Sequence, residues 1–118
     1  MAKTVTSILP RISVIESWAS FFGFSPRLVL LEGLNAGSAF NSVPAGDIVE
    51  LYFKLPSSLN AKLGDGVGFV PQYVPTDARI VYISAEVHAD NFVSLYFGNA
   101  GGASTGETAN IDGYLVLE

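Results

Sequence analysis

The chain has no cysteine, and only one histidine, His88, stands among its 118 residues. The absence of cysteine excludes disulfide bonds, thiolate metal ligands and a thiol nucleophile. Histidine is also the side chain most often used for general acid–base catalysis. Catalytic sites that need two histidines, or a histidine beside a cysteine, are therefore excluded.

Charged residues are scarce as well, since they make up 14% of the chain, against roughly 25% in an average soluble domain. The mean hydropathy is +0.40, so a monomer would have few charges with which to cover its surface. We therefore expect an assembled protein in which subunit contacts cover part of that surface. The net charge of −5 disfavours nucleic acid as a partner.

The sequence also lacks a continuous apolar run that could cross a membrane as a helix. Spanning needs about 20 consecutive apolar residues, and the best stretch, Ile12–Leu31, is interrupted by Glu16 and Pro26. The first residues do not have the apolar core and small-residue cleavage site of a signal peptide. We expect a protein that is made in the cytoplasm, does not span a membrane and is not exported by that route.

From Asp47 onward, the sequence alternates apolar and polar residues with a period of two. This pattern is typical of strands whose successive side chains point to opposite faces of a sheet. Turn-forming residues separate the runs, and Pro71 places one run at a sheet edge. Strands are predicted at Arg27–Glu32, Asp47–Leu55, Val67–Val74, Arg79–Ala89, Phe92–Phe97 and Ile111–Leu117. Short strands at this spacing predict a mainly β fold, an antiparallel β-sandwich or a jelly-roll-like barrel.

Residues 1–45 differ in pattern from the body at 46–118, and we interpret them as an N-terminal arm that carries the first strand or strands. Ser13 and Glu16 have capping-box spacing, and apolar residues at helical spacing predict a short helix over Ser13–Phe22. β-Branched residues in the same segment leave a strand as the alternative. Four aromatic residues, more than a short element can bury alone, suggest docking on adjacent subunits: Trp18, Phe21, Phe22 and Phe24.

Four of the five tyrosines keep step with the polar residues of their strands: Tyr52, Tyr82, Tyr96 and Tyr114. In the Arg79–Ala89 strand, Val81 and Ile83 alternate with the polar residues, so their side chains are predicted to point toward the core. Exposed rings in a row mark a face that meets another molecule. We expect at least two of the four tyrosines to lose solvent exposure in the assembled state. The alternative is packing between tyrosines alone, which stabilises by about 0.2–1 kcal/mol per cross-strand pair.

Two predicted strands share a five-residue pattern. V-x-L-Y-F occurs at residues 49–53 and again at residues 93–97. Two strands in equivalent environments would produce this repetition, which favours a two-sheet fold with pseudo-symmetric halves.

Three local patterns contain residue types that occur in metal, catalytic or phosphate-binding sites. Glu86, His88 and Asp90 share one strand face, but their side chains splay over about 13 Å, which favours a solvated face over a metal site. Ser84 lies about 13 Å from His88 along a straight strand, too far for a nucleophile–base pair. The glycine-rich Gly64–Gly68 lacks the lysine and the following helix of a phosphate-binding loop. We therefore expect no enzymatic activity, no cofactor and no metal.

Four segments carry a resemblance to a known class of proteins: Pro44–Pro56, Asp77–Val81, Phe97–Gly102 and Asp112–Leu115. The sequence pattern P-x-G-D…L-P…A-R-I joins the strands, and a glycine- and alanine-rich loop precedes a final strand that begins with D-G-Y. In this pattern the chain resembles small β-rich virion proteins of bacteriophages, such as capsid, decoration, penton and head-fibre components. The resemblance implies a non-enzymatic building block that assembles with itself and with other virion proteins.

The sequence thus leads to the hypothesis of a bacteriophage structural protein, of the capsid or capsid-decoration type, that is located in the virion and acts by self-assembly. The aromatic arm and the four tyrosines are its predicted interface. The alternative is a carbohydrate- or protein-binding β-sandwich module that uses the tyrosine-bearing sheet face. Sugar-binding modules of this kind favour tryptophan, however, and Trp18 lies in the arm.

Overall fold

A computed structural model of the protein describes residues 3–15, 27–34, 42–71, 80–104 and 112–117. Within these ranges the chain is mainly β, as predicted, and contains no helix long and apolar enough to cross a membrane. A 3₁₀ turn covers Ser57–Leu59. The strands are β1 (Lys3–Ser7), β2 (Arg11–Ile15), β3 (Arg27–Glu32), β4 (Ile48–Lys54), β5 (Val67–Pro71), β6 (Ile80–Ala89), β7 (Phe92–Asn99) and β8 (Gly113–Leu117).

The strands form two four-stranded sheets. Sheet A has the order β1-β4-β7-β6, and sheet B has the order β2-β3-β8-β5. The described strand pairs are antiparallel, except that β1 lies parallel to β4. β5 is an edge strand, which agrees with the position of Pro71. β6 and β7 form a hairpin, in which Asn91 has a positive φ of 62°.

The hydrophobic core is built from alternate residues of the central strands. In β4 and β7 the apolar phase faces the core, as the alternation predicts. Each such side chain contributes about 1.5–3 kcal/mol when it is fully buried. The core residues from the strands of the two sheets include Val29, Leu31, Val49, Leu51, Phe53, Phe69, Val93, Leu95, Phe97, Leu115 and Leu117.

The prediction for β6 is wrong in its first half. The register of β6 against β7 shifts between Tyr82 and Ser84, which marks a β-bulge or irregularity. An extra residue in one strand reverses the phase of the side chains on the far side of the bulge. Tyr82 therefore packs against the core, whereas Val81 and Ile83, which were predicted to point inward, are 42% and 51% exposed.

Tyr82 joins an aromatic contact between the two sheets. Its ring centroid lies 5.6 Å from that of Phe69 in sheet B and 5.8 Å from that of Phe97 in sheet A. The rings of Phe69 and Phe97 lie 6.1 Å apart in an edge-on arrangement. Burial among these rings raises the pKa of Tyr82, and a hydrogen bond with the backbone of Phe69 opposes that effect.

The N-terminal residues are integrated into both sheets. β1 pairs with β4 in sheet A, while β2 and β3 pair with each other in sheet B. The predicted helix is wrong for residues 13–15, since these belong to β2. The β-branched Val14 and Ile15 favour the strand. The rest of the predicted helix, at residues 16–22, lies outside the described residues.

β7 continues two residues beyond its predicted end at Phe97 and includes Asn99. The side chain of Asn99 is buried, and its Nδ2 donates to the carbonyl oxygens of Val43 at 2.8 Å and Ala103 at 2.7 Å. Its Oδ1 accepts a hydrogen bond from the backbone N–H of Gly101. These bonds fix residues 99–103, which the sequence assigned to a glycine-rich loop.

Candidate functional site

A cluster of polar and aromatic side chains lies on the outer face of sheet A, which is turned away from the core. Three neighbouring strands supply it, because the register places Ser94 of β7 between Tyr52 of β4 and Glu86 of β6. The next row places Tyr96 opposite Glu50. We call the following residues the Ser94 cluster: Glu50, Tyr52, Glu86, His88, Phe92, Ser94 and Tyr96.

Ser94 forms the centre of a hydrogen-bonded network. Its Oγ donates to Oε2 of Glu50 at 2.7 Å and lies 2.9 Å from Nδ1 of His88. A hydroxyl has a single proton to donate, so in this arrangement Nδ1 of His88 is the donor to Ser94. Ser94 is fully buried and Glu50 is 8% exposed. The network provides the partner that a buried carboxylate requires.

Tyr96 joins the same network from its other side. Its hydroxyl donates to Oε1 of Glu86. Burial is the main cause that raises the pKa of Tyr96, and the carboxylates of Glu86 and Glu50 raise it further. Each of these effects favours the neutral phenol over the phenolate. Tyr96 is therefore a hydrogen-bond donor held between two carboxylates.

Three rings of the cluster are stacked. The ring centroid of Tyr52 lies 4.7 Å from that of His88 and 5.2 Å from that of Phe92, with interplanar angles of 27° and 9°. His88 and Phe92 lie 6.3 Å apart at 28°, and Nζ of Lys54 is 5.9 Å from the centre of the Phe92 ring. Offset stacking of this kind contributes about 0.5–1.5 kcal/mol per pair. It holds His88 in position over Ser94.

The four predicted tyrosines do not share one face. Tyr52 and Tyr96 belong to the Ser94 cluster, and Tyr82 packs against the core. Tyr114 lies on the outer face of sheet B, where it pairs with Leu30 of β3. It alternates along β8 with residues that are buried on the core side of the sheet. The single tyrosine face is therefore not formed. The predicted arm residues lie outside the described residues: Trp18, Phe21, Phe22 and Phe24.

Glu50 and Ser94 were not predicted as site residues, although the sequence contains a signal for them. They occupy the same x position in the two V-x-L-Y-F segments. β4 and β7 pair antiparallel with Leu51 opposite Leu95, so the two segments are related by a local twofold arrangement. This arrangement places Glu50 and Ser94 close enough to form their hydrogen bond.

The Ser94 cluster does not have the arrangement of a serine hydrolase. Glu50 bonds to the serine hydroxyl rather than to the imidazole, whereas a catalytic carboxylate orients the histidine. Ser94 is also fully buried, so its Oγ cannot reach a substrate in this conformation. Over the described ranges, no group of three or more His, Asp and Glu side chains is placed to hold a metal ion.

Comparison of the chain with protein-family models, with curated proteins and with solved structures finds no match. The fold and the cluster therefore define its class: a mainly β protein of two sheets that carries a hydrogen-bonded polar cluster on the outer face of one sheet.

The raised pKa of Tyr96 predicts a stability change at alkaline pH. The unfolded phenol ionises near its ordinary value of 10.0, whereas the folded one stays neutral to higher pH. The contribution of Tyr96 to stability is thus complete below pH 10 and is lost as the pH rises through the folded pKa. We expect Tyr96→Phe to lose less stability above pH 10 than the wild type. Urea unfolding at several pH values measures this difference, and equal losses would contradict it.

Proposed function

We propose that the protein is a structural component of a bacteriophage particle, of the capsid or capsid-decoration type, that acts by self-assembly. In this proposal the two sheets form a β-sandwich or jelly-roll subunit. The observation that carries the proposal is the exposure of aliphatic side chains on strands of both sheets. Val81 and Ile83 of sheet A are 42% and 51% exposed, and Val70 of sheet B is 53% exposed.

The outer face of sheet B supports the same proposal. The residues in phase with Tyr114 on this face are largely apolar: Leu28, Leu30 and Val116 are half-buried in the isolated chain, and Val70 is exposed. Apolar surface removed from water stabilises an association by roughly 25 cal/mol per Å². Contiguous apolar patches on an otherwise folded protein mark contact surfaces. A chain with 14% charged residues has few groups to break such patches.

The aromatic arm completes the proposed interface. Its four aromatic residues stand in the segment at residues 16–26, between β2 and β3. In the proposal they dock on a neighbouring subunit, as the sequence pattern suggests. The assignment to a virion rests on the resemblance of the sequence to small phage proteins, and so does the expectation of other virion proteins as partners.

The proposal predicts that the purified full chain is oligomeric at high micromolar concentration in size-exclusion chromatography with light scattering. Replacing Val81 and Ile83 together with threonine should weaken association by about tenfold, because apolar contact area is lost. Leu63→Ser is the matched control, since Leu63 is 69% exposed but lies outside the strands. A well-behaved monomer would contradict the proposal.

A second variant tests the arm. Replacing Trp18, Phe21, Phe22 and Phe24 with serine leaves β1 and β2 intact, whereas a deletion of the N-terminus would remove strands from both sheets. We expect the oligomer to dissociate while the circular dichroism of the sheets is retained. Unchanged assembly would show that the arm is not part of the interface.

A further inference from the structure

β1 is a peripheral strand of sheet A that is held mainly through its backbone. Among the described strands it neighbours β4 alone, with which it pairs in parallel. Parallel pairing is slightly less stable per residue than antiparallel pairing. Val5 and Ser7 are exposed, whereas Ile8, directly after the strand, is 4% exposed and donates its N–H to the carbonyl oxygen of Tyr52 at 2.9 Å. Backbone pairing and the Ile8 anchor thus hold β1 in place.

The link that follows β1 is short and stiff. β1 belongs to sheet A and β2 to sheet B, so the chain crosses between the sheets after Ile8, and Leu9 and Pro10 remain before β2 begins at Arg11. Three Cα–Cα steps reach about 11 Å, close to the spacing of about 10 Å between packed sheets. Pro10 fixes its own φ and favours an extended Leu9. The link therefore crosses almost fully extended, and a tight hinge of this kind favours exchange of the element that it carries.

Leu9 stands on this hinge and is 96% exposed. A single exposed leucine is ordinary on a protein surface, but its position here gives it a role. If two copies exchange β1, the two hinges cross from one copy to the other close to a twofold axis. The Leu9 side chains of the two copies then lie near each other and leave water together.

We propose that two copies of the chain exchange β1, so that the β1 strand of each copy pairs with β4 of the other in the register found within one chain. The inference rests on the proposed self-assembly and names its partner, a second copy, and the segment exchanged. The structure defines the occupant, since the edge of β4 and the buried site of Ile8 already bind this sequence. Exchange costs little, because the contacts of the closed chain are remade between copies and only the hinge changes.

The absence of cysteine from the chain makes the exchange directly measurable. Ser7 and Tyr52 are Cα partners across β1 and β4. Neighbouring strands lie about 4.8 Å apart, within the Cα separation that a disulfide bridges, about 4.4–6.8 Å. The test is oxidation of the isolated oligomer of the full chain carrying both Ser7→Cys and Tyr52→Cys. We expect a covalent dimer in non-reducing gel electrophoresis, whereas each single variant, the matched control, should run as a single chain.

The result separates this inference from the proposed self-assembly. An oligomer by light scattering whose disulfides lie within single chains would overturn the exchange and leave self-assembly standing. A monomer by light scattering, with its disulfide inside the chain, would overturn both.

A second variant decides the question if the disulfide does not form. Leu9→Asp brings like charges together at the hinges of the exchanged pair, so we expect it to weaken dimerisation by about tenfold. The fold should be retained, because the side chain is exposed in the closed chain. Leu63→Asp is the matched control, since it adds the same charge at an exposed position outside the strands. Equal dimerisation of the two variants would overturn the exchange.

Discussion

Replacing Phe97 with alanine is expected to lower the free energy of unfolding by about 3–5 kcal/mol. The ring is 2% exposed and lies in contact with Phe69 of the opposite sheet and with Tyr82. Its removal leaves a cavity between the sheets that rigid neighbouring strands cannot fill. Natural domains are stable by only about 5–15 kcal/mol, so this loss would be a large part of the total.

Urea unfolding followed by circular dichroism measures this change. Phe92→Ala is the matched control, because Phe92 is on the same strand but is half-buried on the outer face. Its removal should cost clearly less, since the space it leaves is open to water. Equal losses in the two variants would mean that the core does not lie on the Phe97 side of β7.

Replacing Gly113 with alanine is the second change with a large expected effect. A Cβ atom at this position would lie 2.6 Å from Cε1 of Phe69 and 2.7 Å from the carbonyl oxygen of Val70. The carbonyl belongs to β5, which pairs with β8, so it cannot move away without disturbing that pairing. We expect a loss of at least about 1–3 kcal/mol, the usual cost of overpacking.

Gly98→Ala is the control for this prediction. A Cβ atom at Gly98 would meet mainly Cδ1 of Ile83, at 3.0 Å. That atom is the end of a flexible side chain that is 51% exposed, so it can turn aside. The midpoint of thermal unfolding should fall clearly for Gly113→Ala and little for Gly98→Ala. A tolerated Gly113→Ala would contradict the close approach of Phe69 to β8.

The strands that alternate most regularly could be predicted from the sequence. The inward phase of Val49, Leu51 and Phe53 is visible because a buried face and a polar face alternate along β4, and β7 behaves in the same way. β3 was predicted with its observed bounds, Arg27–Glu32. β1 could not be found by these means, since it is a short polar strand whose partner β4 is distant in the sequence.

The phase of β6 and the Ser94 network depend on pairing between strands rather than on one strand alone. The irregularity near Ile83 is defined only against β7, so the alternation within β6 predicted Tyr82 on the wrong face. Along its own strand, His88 has no serine within hydrogen-bond reach, because Ser84 is too far away. The observed partner, Ser94, comes from the neighbouring strand.

The position of β8 has a consequence for the order in which the protein can fold during synthesis. β8 lies between β3 and β5 in sheet B, and Arg27 pairs with Leu117, 90 positions further along the chain. At about 5–20 residues per second, a ribosome needs roughly 5 to 20 s to cover that distance. Throughout this interval the aliphatic residues of β3 lack β8, the strand that lies beside them in the completed sheet. The nascent chain therefore exposes an aggregation-prone segment that only the completed sheet conceals.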